Sequence, residues 1–182
     1  MEPKAFKKFF SRMSEQLPIT LIAKEVNATD SCLEVKDSLP IFDALDLLEK
    51  HSCLTLKNGL VVNRKQMMSK PVKTLFYALI IEIEYRLYRV LKKRTQSVKE
   101  LQTKNFNDMI KQFIEDQELL KMQNVYSKRQ QIKEDLKAIS SFRNIIMHSN
   151  RKMDLDTEFA TIIKRKKQAL KLLDALEQLY NK

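Results

Sequence analysis

All four prolines (Pro3, Pro18, Pro40 and Pro71) and the single glycine, Gly59, lie in the first 71 residues of this 182-residue chain, and the 111 residues that follow contain neither. Gly and Pro are the main punctuators of strands and turns. A stretch of this length without them, rich in Leu, Ile, Lys, Glu and Gln, therefore argues for helices joined by short polar links. Two composition regimes meet at about Pro71, a residue suited to a first helical position. The length allows a buried core and fits one domain with a smaller appendage. The expected division is a small α+β segment over residues 1–71 and a helical domain over residues 72–182.

Apolar spacing draws four helices in the second part. Val72 to Thr95 is apolar on nearly every side, around Leu75, Phe76, Leu79, Ile83 and Leu87, and is expected to be central. Val98 to Leu120 carries a stripe of Leu101, Phe106, Ile110, Phe113 and Ile114; Lys128 to His148 sets Ile132, Leu136, Ile139, Phe142 and Ile146 on one face. The last helix starts after Asp154 or Asp156 as N-cap and runs through Phe159, Ile162, Ile163, Leu170, Leu173, Leu176 and Leu179. Short links imply antiparallel neighbours, so the fold class is mainly α, with a C-terminal antiparallel helical bundle. In the first part, Ile41 to His51 reads as an amphipathic helix capped by Ser38 or Asp37. CLTLK and LVV flank Lys57-Asn58-Gly59, a hairpin signal, and a short helix is expected over Lys65 to Lys70.

Charge is unevenly placed. Residues 1–71 carry 11 Lys or Arg against 9 acids, and residues 72–182 carry 23 against 14, for a net charge of +11. Such a surface attracts polyanions through counterion release, which favours a nucleic-acid partner, and solubility is the plainer reading of the same surplus. The longest apolar run, LFYALII, is far below the ~18 residues of a membrane span, and MEPKAFKKFFSRM does not read as a secretory signal. Cys32 and Cys53 stand in no metal-ligand spacing, so a reduced, cytoplasmic chain without a metal or other cofactor is expected.

The chemistry-bearing stretch is FRNIIMHSNRK, residues 142–152. At about 100° per residue, Asn144 and His148 share a helix face, whereas Arg143 and His148 diverge by about 140°. A helix ending just after His148 lets the long Arg143 side chain and the imidazole flank one groove, with Ile145 and Ile146 anchoring it to the core. Histidine moves a proton near neutral pH, and arginine presents a permanent charged fork to phosphate. Together they suit phosphodiester cleavage without metal, with the RNA 2′-hydroxyl as internal nucleophile. The plainer alternative is a solvated Arg and a His that stabilises the helix C-terminus.

A four-helix domain with Arg, a polar residue and then a His four to six positions later on a late helix resembles HEPN domains, and FRNIIMH matches with Asn144 at the polar place. The resemblance spans about residues 72–182. It implies a homodimeric, metal-independent ribonuclease in which Arg143, Asn144 and His148 form the site and cleavage leaves a 2′,3′-cyclic phosphate and a 5′-hydroxyl. The basic residues Arg151, Lys152, Lys164, Arg165, Lys166 and Lys167 are expected to grip the RNA backbone, although a charge run on a helix is usually a solvated face. Glu82 and Glu84 either face the Arg143 cleft or form an exposed stripe with Arg86 and Arg89. The preceding SLPIFDALDLLEKHSCLTLKNGLVVNRKQMMSKPV is similar to one CBS motif, but NRKQMM lacks the Thr/Ser-x-x-Asp ribose signature. The implied partners are RNA, a second copy of the chain, and an antitoxin or regulatory protein, with no membrane. The alternative is a noncatalytic nucleic-acid or nucleotide-binding regulatory module.

Overall fold

The computed structural model describes residues 17–25, 32–95, 97–122, 125–147 and 155–181. The fold is mainly helical with a small three-stranded sheet. The chain divides into two compact units: residues 1–78 with 150–164, and residues 79–149 with 165–182. Among the described residues no helix is long and apolar enough to cross a membrane.

In the first unit, β1 (Leu33–Val35), α1 (Ile41–Lys50), β2 (Cys53–Leu56) and β3 (Val61–Asn63) follow one another, with strand order β1-β2-β3. The hairpin signal is realised: β2 and β3 pair antiparallel with Leu54 opposite Val62. Its turn closes through the Gly59 amide donating to the Leu56 carbonyl at 2.9 Å, and Gly59 takes φ +80°, a conformation open mainly to glycine. Asn58 Oδ1 accepts from the Leu60 amide, which completes the turn. Helix α1 buries Ile41, Phe42, Ala44, Leu45 and Leu48, and Phe42 meets Phe76 edge to face at 5.3 Å. Each large side chain removed from water contributes roughly 1.5–3 kcal/mol before entropy is counted.

Three expectations for this unit need correction. Helix α1 is not capped by Ser38 or Asp37: it begins at Ile41, so its N-cap is Pro40, with no side-chain cap bond, and Asp37 Oδ1 accepts from the Lys57 amide at 3.1 Å. The Lys65–Lys70 helix is only a 3-10 turn over Gln66–Met68, and a continuous helix begins at Lys70. Cys32 and Cys53 are not free thiols. Strand β1, which periodicity did not reveal, runs parallel to β2 with Leu33 opposite Leu54, and this register sets the two cysteines side by side, Cα atoms 4.8 Å apart, joined as a disulfide. The thiol argument for a reducing compartment falls with it.

The second unit is built from parts of α2 (Lys70–Lys92) and α7 (Leu155–Asn181), together with α3 (Val98–Thr103), α4 (Phe106–Glu115), α5 (Gln117–Met122) and α6 (Arg129–Met147). The single helix expected over Val98–Leu120 is three short ones. Each begins at a capping side chain: Ser97 accepts from the Glu100 amide, Asn105 from Asp108 and Asp116 from Leu119. Such residues offer the backbone a local alternative to the continuing helix. Leu101, Phe106, Ile110 and Phe113 are buried and Ile114 is half-buried, so most of the apolar stripe survives the breaks.

A polar cluster lies inside this unit. The Tyr126 hydroxyl donates to Asp135 Oδ2 at 2.8 Å, and Gln168 Nε2 donates to Asp135 Oδ1 at 2.6 Å. Burial first, then the hydrogen bond and charge of Asp135, push the Tyr126 phenol far above its ordinary value. The unfolded chain gives up this proton near pH 10 while the native one keeps it, so this stability is fully present below that pH and is lost as pH rises above it. Urea unfolding at about pH 8 and about pH 11 should show a steeper alkaline loss for the parent than for Tyr126→Phe. At the lower pH the variant should be weaker by about 1–3 kcal/mol, the cost of leaving Asp135 short of a donor.

Candidate active site

Arg143 sits near the C-terminal end of α6, one residue past the buried Phe142. Ile132, Leu136, Ile139 and Phe142 turn the other face of the helix into the core, so Arg143 lies at the border between packing and solvent. Its side chain is 33% exposed and its NH2 group lies 3.6 Å from Glu84 Oε2 on α2, which is 27% exposed. Beneath it the Phe106 ring, itself buried, lies 5.9 Å from the guanidinium carbon. Helix α4 carries Phe106 and packs on α6, and Ser140 of α6 donates to Asn107 Oδ1 of α4. Arg143 is thus held by a carboxylate and an aromatic face, and it retains access to solvent.

The two glutamates separate. Glu84 reaches Arg143, whereas Glu82 is buried at 4% exposure and binds Arg86 at 2.6 Å, so the expected exposed stripe of Glu82 with Arg86 is not formed. Two positions apart on a helix, the side chains point about 200° from one another, which is why one faces α6 and the other the interior.

Asn144 is exposed. Ile145 is 48% exposed and Ile146 half-buried, so Ile145 does not anchor the groove to the core as expected. The apolar face of α6 ends at Phe142, one turn earlier than the spacing suggested. His148, Arg151 and Lys152 lie outside the described residues.

The basic run on α7 does not present one continuous charged face, because consecutive helical residues point about 100° apart. Lys164 and Lys167 are exposed. Lys166 is 5% exposed and so does not stand on a surface that a nucleic acid touches. Arg165 is partly buried and donates through NH1 to Gln168 Oε1, joining the Asp135 cluster; burial lowers its pKa and the Asp135 charge opposes that shift.

Sequence reasoning weighed Glu84 but missed Phe106 as a platform for Arg143, since periodicity marked that ring only as core. Among the described residues no group of three or more His, Cys, Asp or Glu side chains could hold a metal ion. A concavity lies in the first unit: a depression of about 340 Å³ lined by Lys50, His51, Ser52, Asn63, Arg64 and Lys65, none of them acidic. Compared with protein-family models, with curated proteins and with solved structures, the chain matches none.

Proposed function

We propose that this chain is a metal-independent endoribonuclease of the HEPN type, acting in the cytoplasm as a homodimer on RNA. The observation that supports it is the state of Arg143 on the penultimate helix: partly exposed, held between Glu84 and Phe106, and five residues ahead of His148 in the sequence. In this reading His148 takes the 2′-hydroxyl proton as that oxygen attacks the adjacent phosphorus. Arg143 neutralises the charge that develops on the phosphate oxygens, and the 5′-oxygen leaves taking a proton from solvent water, His148 returning its own proton to solvent. Asn144 orients the imidazole or the sugar. Glu84 keeps the guanidinium in place until a phosphate takes over its interaction, and the exposed Lys164 and Lys167 supply attraction for the RNA backbone. The β1-α1-β2-β3 order followed by a helix supports the CBS-like reading of the first unit, which we assign a structural or dimerising role.

Incubating the protein with mixed RNA in EDTA tests the proposal. Fragments ending in 2′,3′-cyclic phosphate and 5′-hydroxyl are expected. Salt-sensitive RNA binding with no cleavage would instead leave a noncatalytic module.

One observation favours that second reading in its nucleotide-binding form: the acid-free depression whose lining includes Lys50, His51, Arg64 and Lys65, within the size range of small-molecule sites. Arg64 is fixed there by the Leu48 carbonyl at 3.3 Å and by stacking on Phe159 at 5.1 Å. The missing ribose signature counts against it. Gln66, which follows, is buried and turns its Oε1 back to the Asn63 amide at 3.0 Å.

A further inference from the structure

We infer that the Cys32–Cys53 disulfide is a reversible redox clasp that holds strand β1 in the sheet, so that thiol reductants release β1 while the β2–β3 hairpin stays formed. The inference is independent of the ribonuclease reading.

It starts from how little else holds β1. The strand has three residues, Leu33, Glu34 and Val35, and none of their side chains is buried. In the described sheet it lies at an edge and pairs only with β2. A parallel ladder of three residues is a weak attachment, because parallel pairing is slightly less stable per residue and few bonds offset the chain entropy lost. Strands β2 and β3 are differently secured. Leu54, Leu56, Val61 and Val62 are buried, the Gly59 turn closes the hairpin, and β3 gains a second partner in Lys24, whose amide and carbonyl both bond to Val61. At the far end of β1 the Asp37–Lys57 contact is a single exposed hydrogen bond. Among the described interactions, the covalent link at the start of β1 is therefore its strongest tie.

Access is also asymmetric. Cys53 is buried in β2, whereas Cys32, just before β1, is partly exposed. A thiolate of a dithiol reductant can attack Cys32 Sγ, forming a mixed disulfide and expelling the Cys53 thiolate, which takes up a proton. The second thiol of the reductant then displaces Cys32 as its own thiol, and the reductant leaves as a disulfide. Two electrons and two protons pass to the protein. The covalent loop between the cysteines, 21 positions apart in sequence, is then open, and β1 is held by its ladder alone.

Hydrogen exchange on the full chain, followed by NMR with and without dithiothreitol, tests the clasp. On reduction, amides of the β1–β2 ladder should exchange at least about tenfold faster, while the β2–β3 amides and α1 keep their protection. Oxidised glutathione should restore the slow rates. Cys32→Ser, which leaves the buried Cys53 in place, should show fast β1 exchange from the start and no response to reductant. Unchanged β1 exchange on reduction would overturn the inference, as would a loss of protection spread across the whole unit, which marks a staple of the fold. So would two free thiols in air-oxidised protein.

Discussion

Replacing His148 with alanine is expected to slow single-turnover RNA cleavage by about 10²–10⁴-fold, the usual contribution of a positioned acid or base. Replacing Arg143 with alanine should slow it by about 10²–10³-fold, as loss of one donor to transition-state charge does. The two variants should differ in binding. His148→Ala removes no permanent charge and should bind RNA as the parent does. Arg143→Ala removes a phosphate contact and should shallow the dependence of log affinity on log salt by about one. Glu84 supplies a variant of opposite sign. Its carboxylate lies 3.6 Å from the Arg143 guanidinium, where an entering phosphate must compete with it. Glu84→Gln should therefore tighten RNA binding, the reverse of the Arg143→Ala effect on affinity. An ion pair this exposed contributes only about 0–1 kcal/mol to stability, so the variant should fold normally. Wild-type cleavage by His148→Ala, with RNA ends still cyclic, would remove the histidine from the chemistry and the proposal with it.

The helical second part was readable because one absence, that of Gly and Pro after Pro71, and one period point the same way. Most of the side chains that spacing assigned to the core are buried, from Leu75 through Leu179, but Leu170 is 45% exposed. Helix breaks were harder to read. Ser97, Asn105 and Asp116 are ordinary residues in a helical pattern until their side chains turn back onto the amide three residues on. A period detector averages over such local competition. Strand β1 was invisible for another reason. Leu33-Glu34-Val35 is too short for alternation to stand out, and its pairing with β2 depends on a register that only the fold supplies. The disulfide was lost with it, since spacing in sequence says nothing about which strands lie side by side.

The candidate site was half legible. The Arg143-Asn144 pair at a helix end could be read directly, and so could the option that Glu84 faces it. The platform under Arg143 could not, because a core Phe and a Phe that also carries a guanidinium look identical in a sequence. The basic run of α7 misled through its compactness. Four adjacent cations read as one patch, but helical rotation sends Lys166 inward.

The same rotation buries Glu82, and the largest stability effect is expected there. Arg86 donates to Glu82 Oε1 at 2.6 Å and to the Leu173 carbonyl at 3.0 Å, and lies 3.2 Å from Glu177 Oε2. Glu82 Oε2 is buried and has no hydrogen-bond partner among the described residues. Arg86 is thus the charge that makes a buried carboxylate tolerable, and it ties α2 to α7 within the second unit. Arg86→Ala should lower unfolding free energy by about 3–5 kcal/mol, because it strands Glu82 in the interior. Removing both partners should cost far less: Arg86→Met with Glu82→Leu fills the same space without a charge and should lie near the parent or up to about 4 kcal/mol above it. The loss of the Leu173 carbonyl's donor works against that gain, so Arg86→Met alone should fall between the alanine variant and the pair. Urea melts that keep a common m-value would report these differences as shifts in midpoint. If Arg86→Ala and the double variant were equally destabilised, the damage would come from lost packing around the arginine stem rather than from the orphaned carboxylate, since only the latter is relieved by taking Glu82 away.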